Sequence, residues 1–358
     1  MKTTQQLHDL GQSLWLDNMT RDLLSDGTLR RYISDFAITG LTSNPTIFDQ
    51  AIRSGSAYDT DIRQKTWEGK AAEALFLELA LDDLTKAADL FRPVHDATGG
   101  VDGWASLEVS PLLADDAQGS TKEAIRLHSL AQTPNLFIKI PGTAAGLVAI
   151  EESIFNGVPI NVTLLFSRDQ YVAAAEAYMR GIERRLALGL DPKVNSVASI
   201  FVSRWDKAVM DKVSATLRNR LGIAVAKKAY RAYCELLSSP RWLALARAGA
   251  PTQRLLWAST GTKDPAAPDT LYIEALAAPN TINTIPDKTL LAFAEHGQVK
   301  DVLPPDGGDA EQVIAEFARA GIDEAALAEE LQREGAAAFD KSWKDLLGCI
   351  TSKSAALK

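Results

Sequence analysis

The sequence predicts an α/β protein, a (β/α)8 TIM barrel with additional helices. Eight short segments rich in apolar residues recur along its 358 residues, each closed by a turn signal. Most lead into a stretch of helical periodicity, an order that argues for a parallel sheet, and eight repeats argue for closure into a barrel. No linker rich in Pro, Gly or Ser interrupts the chain, so a single domain is expected although the length could hold two average ones. An open doubly wound sheet is the alternative architecture.

The first segment lies near 13–18 (SLWLDN) and precedes a helical pattern over 20–33. The second, 37–44 (AITGLTSN), is followed by a helical insertion near 45–100 whose clearest pattern covers 71–92. The third to sixth segments are 103–110 (GWASLEVS), 135–142 (NLFIKIPG), 159–166 (PINVTLLF) and 196–203 (SVASIFVS). Their helices are expected at 120–132, 144–156, 168–188 and 205–236. The seventh and eighth strands are placed at 253–260 (QRLLWAST) and 271–276 (LYIEAL), ahead of a helical tail near 309–350 patterned most clearly over 310–347.

Composition narrows the function classes. Hydrophobic residues at 46% and charged residues at 23% supply a sizeable core and argue against extensive disorder. The net charge is -8 and no lysine and arginine cluster is interleaved with aromatics, so no nucleic-acid partner is expected. An acidic protein that binds phosphates must concentrate its positive charge locally. Cys234 and Cys349 lie in amphipathic helical stretches and are expected to be buried thiols rather than a disulfide. The first twelve residues lack a basic start and apolar core, and no apolar run is long enough to span a bilayer. No membrane partner is expected, and a cytoplasmic location follows.

Lys139 sits inside an apolar strand, Asn135-Leu-Phe-Ile-Lys-Ile-Pro-Gly142. Flanked by Ile138 and Ile140, it must snorkel, meet an anion or carry chemistry. Alone it admits two readings: a strand-end amine reaching solvent or a buried carboxylate, and a nucleophile that forms an imine with a ketone. The second needs a neutral amine, and at an unperturbed pKa near 10.4 only about one lysine in a thousand is neutral near pH 7.4. Burial and nearby cations both disfavour the ammonium form.

Strand parity places further groups with it. Side chains two apart share a face, and catalytic groups of barrels collect at the C-terminal strand ends. Asn161 and Thr163 share one face of the fifth segment, Ser199 and Phe201 one face of the sixth. Asp17, Thr42 with Asn44, Ser106 with Glu108, and Ser259 fall near the ends of the first, second, third and seventh. Each has an ordinary alternative: Asp17 or Asn18 as a helix cap, Asn44 before Pro45 as a turn, Glu108 as partner of a surface lysine. Their joint occurrence at corresponding positions is what points to a site.

The segments Trp15-Leu-Asp-Asn18, Thr39-Gly-Leu-Thr-Ser-Asn-Pro-Thr46, Ser106-Leu-Glu-Val-Ser-Pro111, Ile138-Lys-Ile-Pro-Gly142, Ile160-Asn-Val-Thr163, Ser199-Ile-Phe-Val-Ser-Arg204 and Trp257-Ala-Ser-Thr-Gly-Thr-Lys-Asp-Pro265 resemble the transaldolases, particularly their longer bacterial form. The match runs in order from about residue 10 to about residue 290. The resemblance implies a Schiff base on Lys139, with Asp17 as the acid/base for C3–C4 cleavage. Glu108 and Thr163 would hold the water that shuttles protons during imine formation. Asn44 and Asn161 would hydrogen-bond the dihydroxyacetone unit, and Ser199 would line the same pocket. It implies sugar phosphates as partners, no metal or organic cofactor, a monomer or homodimer, and a place in the non-oxidative pentose phosphate pathway. A protonated imine is itself an electron sink, which agrees with cofactor independence.

Phosphate recognition would use Arg204 with Ser259 and Lys263. The shorter transaldolases have a Ser-x-Arg arrangement there, whereas Ser259-Thr-Gly-Thr-Lys263 places its cation two residues later. Fructose 6-phosphate aldolases resemble transaldolases but are much shorter and carry tyrosine where Phe201 stands, so Phe201 and the length favour group transfer. A non-catalytic sugar-phosphate-binding barrel would be expected to lose Lys139, Asp17 or Glu108. Gly142-Thr-Ala-Ala-Gly146 lacks the lysine and glycine spacing of phosphate loops and is expected to start a helix. His8, His95, His128 and His296 show no metal-ligand spacing.

Overall fold

Eight parallel strands of the computed structural model, which describes residues 2–357, run in the order β2-β1-β8-β7-β6-β5-β4-β3. They are β1 (Ser13–Asp17), β2 (Ile38–Thr42), β3 (Ala105–Glu108), β4 (Leu136–Pro141), β5 (Ile160–Leu165), β6 (Ser196–Phe201), β7 (Arg254–Ala258) and β8 (Thr281–Ile285). The two ends of this sheet meet. Gly40 bridges Trp104 in parallel, Leu41 N–H donates to the Trp104 carbonyl at 2.9 Å and Gly103 N–H to that of Thr39 at 2.8 Å. The sheet is therefore closed as a barrel, and the open doubly wound alternative is excluded.

The seam demands a glycine. Gly40 lies opposite Trp15 in the β1–β2 register, and a Cβ there would come within 2.7 Å of the Trp15 ring and 2.8 Å of the Trp104 carbonyl oxygen. Inside, Trp15, Trp104, Phe137, Val197, Leu256 and Ile282 fill the barrel, and Trp104 stacks on Phe137 with centroids 4.0 Å apart. Outward-facing residues such as Ile138, Ile140, Ile160, Val162 and Ile200 join the layer between strands and helices. At the N-terminal strand ends, buried Asp102 accepts from Trp15 Nε1 at 2.9 Å and from the Ser13 hydroxyl. Arg254 lies 3.7 Å from this carboxylate and donates to Ser13 Oγ at 2.6 Å and the Thr281 carbonyl at 2.8 Å. Charges buried in that layer are thus paired and hydrogen-bonded.

Seven of the eight strands fall where the sequence places them. The eighth does not: the segment 271–276 contains a helix, Leu271–Ala275, and the strand is Thr281–Ile285. LYIEAL is rich in helix formers, while TINTI is a β-branched run bounded by Asn280 and Pro286. Three predicted helices are divided in two. The stretch 205–236 gives Ser203–Val209 and Leu221–Ser238, and the stretch 310–347 gives Ala310–Arg319 and Glu324–Ala356. Gly321, at a φ of 86°, makes the second break, a conformation that favours glycine. The pattern at 20–33 likewise divides into Arg21–Ser25 and Thr28–Phe36. The cap of the first of these is Thr20, not Asp17 or Asn18.

The insertion holds Pro45–Ser54, Asp59–Trp67 and Ala72–Ala97. The final helix, Glu324–Ala356, is about 50 Å long at 1.5 Å per residue. Its second half docks on the insertion. Trp343 meets Phe76 edge-on with centroids 5.2 Å apart, Thr46 donates to Ser342 at 2.9 Å, and Lys353 pairs with Asp59 at 2.6 Å. Cys234 and Cys349 are free and half-buried rather than fully buried. No helix of the described residues is long and apolar enough to cross a membrane.

Closure through Gly40 generates a stability prediction. Gly40→Ala forces a methyl group into the Trp15 and Trp104 contacts, and is expected to destabilise the fold by about 1–3 kcal/mol, the usual range for overpacking. Urea unfolding followed by tryptophan fluorescence measures it; an unchanged midpoint would mean that the seam tolerates a side chain.

Candidate active site

Lys139 points into the barrel while its neighbours Ile138 and Ile140 point out to the helices. The apolar flank seen in the sequence is therefore not what surrounds the amine. In the parallel register Glu108 of β3, Lys139 of β4 and Asn161 of β5 lie side by side. Lys139 Nζ is 3.7 Å from Glu108 Oε2 and donates to the Ser43 carbonyl at 3.3 Å. Both side chains are buried, each residue 6% exposed. The nearest charged partner is thus a carboxylate and not the cation that the activation argument invokes.

Burial pushes the Glu108 carboxyl above its ordinary range, against the opposing pull of the Lys139 ammonium. Asp17, at the end of β1, is raised for the same first reason, with Lys139 and a 2.9 Å hydrogen bond from Thr42 Oγ1 opposing. Raised carboxylates beside an amine are good proton acceptors. Glu108 Oε2 and Thr163 Oγ1 are buried and make no hydrogen bond with the described residues, so both can engage a substrate hydroxyl or a water.

The polar groups around the lysine are held in place by one another. Asn161 Oδ1 accepts from Ser199 Oγ at 2.7 Å, and its Nδ2 donates to Ser106 Oγ at 3.2 Å, which fixes the amide's orientation. Asn44 Oδ1 accepts from Ile47 N–H at 3.1 Å and caps Pro45–Ser54. The turn reading holds, and the same residue also lines the cleft.

That cleft, ≈ 120 Å³, opens at the C-terminal strand ends and is lined by Asp17, Asn44, Lys139, Thr163, Ser199, Phe201, Arg204, Ser259 and Lys263. Glu108 and Asn161 flank Lys139 on the neighbouring strands. These eleven residues, all singled out in the sequence, meet at one end of the barrel. Arg204, half-buried at the start of Ser203–Val209, makes no hydrogen bond or ion pair among the described residues, and its guanidinium lies over Phe201 at 5.0 Å. Lys263 is exposed as a residue, but its Nζ sits by Gly261 in the mouth, where desolvation lowers its pKa. Ser259, at a φ of 54°, pairs with Ser203 Oγ at 3.0 Å.

Thr284, Pro286 and Phe339 also line the cleft and were not selected from the sequence. Thr284 meets Thr42 at 2.7 Å and was missed with its strand, although the TINTI pattern carried the signal. Phe339 belongs to a helix almost two hundred residues beyond Lys139, and nothing local marks it. Gly142-Thr-Ala-Ala-Gly146 does start a helix, with Thr143 accepting from Gly146 N–H at 3.0 Å. A larger cavity of ≈ 520 Å³ at the other end of the barrel is lined by Asp102 and Arg254, which are paired with each other.

Residues 14–350 match the family model described as Transaldolase/Fructose-6-phosphate aldolase. A protein of Frankia alni named transaldolase is 43% identical over 357 residues, which cover 97% of this chain and 96% of the relative. Proteins of the same name from Thiobacillus denitrificans and Thermobifida fusca are 44% and 43% identical, covering 98% of this chain and 100% and 98% of their own. With a closed (β/α)8 barrel and a cleft at its C-terminal end, the chain belongs to the transaldolase/fructose-6-phosphate aldolase family and is an enzyme of its transaldolase type.

Proposed function

We propose that the chain moves a dihydroxyacetone unit from a ketose phosphate, sedoheptulose 7-phosphate or fructose 6-phosphate, to an aldose phosphate through an imine on Lys139. Glyceraldehyde 3-phosphate and erythrose 4-phosphate are the acceptors, as the non-oxidative pentose phosphate pathway requires. The observation that carries this reading is the buried Lys139–Glu108 pair, 3.7 Å apart, beneath a cleft that also holds Asp17 and Arg204.

Glu108 takes a proton from the Lys139 ammonium, directly or through a water shared with Thr163, and leaves a neutral amine. That amine attacks the ketone carbon, and the same relay returns a proton so that the carbinolamine loses water to give the iminium. Asn44 and Asn161 hold the hydroxyls of the three-carbon unit. Asp17 then removes the C4 hydroxyl proton. The C3–C4 bond breaks, its electron pair enters the iminium, and an aldose leaves while an enamine stays on Lys139. The acceptor's aldehyde carbon adds to the enamine, Asp17 gives its proton to the new hydroxyl, and hydrolysis frees Lys139. The electron sink is the imine itself, so this route calls for no metal or organic cofactor.

Arg204 is the leading phosphate ligand, a planar donor with no hydrogen bond or ion pair among the described residues in a desolvated mouth, and Lys263 with Ser259 assists. The whole apparatus is drawn from strands and the segments that follow them between Asp17 and Lys263, which supports one catalytic unit. A cytoplasmic enzyme working as monomer or homodimer fits this reading.

Borohydride reduction with fructose 6-phosphate is expected to inactivate the enzyme and leave a stable adduct on Lys139 alone, located by peptide mapping. Lys139→Arg should abolish adduct and turnover, because the charge remains but no nucleophilic amine does. Glu108→Gln should slow adduct formation, and Asp17→Asn should let it form but stall C–C cleavage by on the order of 10²-fold or more. An adduct on another lysine, or turnover without one, overturns the mechanism.

The pH profile follows from the upward shifts of Asp17 and Glu108. Both accept protons only when ionised, so kcat/KM should rise with pH through values above the 3.8 and 4.5 of unperturbed Asp and Glu. An acid limb at those ordinary values would remove both groups from the proton relay. Arg204→Ala is expected to raise the KM of fructose 6-phosphate by about 10²-fold, a loss consistent with one charge-assisted bidentate contact. Dihydroxyacetone should still be trapped at an unchanged rate; equal losses for both would exclude a phosphate role.

A further inference from the structure

The first half of the final helix, Glu324–Ala356, lies across the mouth of the cleft. Gln332, Gly335 and Phe339 fall at spacings of three and four and share the face turned to the barrel. Gln332 Nε2 donates to the carbonyls of Gly142 at 3.0 Å and Leu164 at 2.9 Å, fastening the helix to the ends of β4 and β5. Leu164 has a φ of 57°, rare for a leucine, at an irregularity in the β5–β6 pairing. Strain of this kind persists only where its surroundings hold it, and Gln332 is one such hold.

Gly335 faces Arg204 across a narrow gap. A Cβ there would lie 3.2 Å from Arg204 Nη1 and 3.0 Å from Leu164 Cδ2, so the guanidinium occupies the space that glycine leaves. Phe339, one turn later, lies 5.8 Å from the same guanidinium, which Phe201 approaches at 5.0 Å. Lying over two rings and making no hydrogen bond among the described residues, the Arg204 guanidinium keeps its N–H groups for a ligand. Those are the donors that grip a phosphate bidentately.

We propose that the C-terminal helix is the specificity element of the phosphate subsite: Gly335 and Phe339 position the Arg204 guanidinium, and Gln332 keeps the helix seated on it. The inference rests on Arg204 being the phosphate ligand. A side chain at residue 335 displaces Nη1 and misaligns the fork, while the imine chemistry below proceeds. The helix thus discriminates phosphorylated from unphosphorylated ketoses without touching the reacting carbons.

The test uses the full chain and a double-mutant cycle. KM and kcat for fructose 6-phosphate, inhibition by inorganic phosphate, and borohydride trapping of dihydroxyacetone are measured for Gly335→Ala, Gly335→Leu and Gln332→Leu, alone and with Arg204→Ala. Gly335→Ala should raise KM and the phosphate inhibition constant about threefold, and Gly335→Leu about thirtyfold, within the penalties known for misplacing a binding group. Gln332→Leu, which fills similar volume without the donors, should act in the same direction if Gly335→Leu fails to fold. Trapping of dihydroxyacetone should change less than about twofold, and in the Arg204→Ala background the Gly335 variants should have no further effect. Unchanged KM in folded variants, or parallel loss of trapping, overturns the positioning role. If Arg204→Ala itself leaves phosphate binding intact, the reading of Arg204 fails and this inference with it; a weakened Arg204→Ala beside neutral Gly335 and Gln332 variants sinks this inference alone.

Discussion

Closure of the sheet between β2 and β3 is the constraint on which the site depends. β2 and β3 stand at opposite ends of the hydrogen-bonded order, and the seam around the Gly40–Trp104 bridge makes them neighbours. Lys139 Nζ donates across this seam to the Ser43 carbonyl, and Ser43 Oγ donates back to that of Ser106 at 2.9 Å. Without closure, Asp17 and Asn44 from one end of the sheet would not face Glu108 and Lys139 from the other. Gly40 permits the approach because a hydrogen atom is all that fits between Trp15 and Trp104.

Inside the closed barrel, charge is expensive and is therefore arranged in two layers. At the N-terminal end Arg254 and Asp102 satisfy each other and a ring of hydroxyl and carbonyl groups. At the C-terminal end the account is left open, with Arg204 unpaired among the described residues and two buried oxygens without partners. The raised carboxyls there oppose stability at neutral pH. Their contribution is fully present below the unfolded-state pKa values and is lost as pH rises through the higher folded values. A net charge of -8 is compatible with phosphate binding because Arg204 and Lys263 concentrate positive charge at the mouth.

Backbone strain is found beside the same groups. Leu164 and Ser259 adopt left-handed conformations at the ends of β5 and β7, next to Thr163 and at the proposed phosphate ligand. Leu164 is held by Gln332 and Ser259 by Ser203. Helical decoration in the sequence, the insertion and the tail, is thus a continuous brace. The tail docks on the insertion through Trp343 and Phe76 and reaches the cleft through Gly335 and Phe339.

The sequence by itself determined the barrel class, seven strand positions and the inward parity of the polar residues. These follow from short-range rules, since alternation along a strand sends Lys139 and Phe137 one way and Ile138 and Ile140 the other. Local propensity fails where two neighbouring segments compete: LYIEAL reads as a strand, but TINTI forms it. Tertiary structure alone decided that the partner of Lys139 is Glu108, because the distance between β3 and β4 is set by pairing and closure rather than by chain order. It also decided that a helix beginning at Glu324 supplies Phe339 to the cleft. No periodicity encodes which part of a barrel an amphipathic helix will cover; the docking surface of the insertion does.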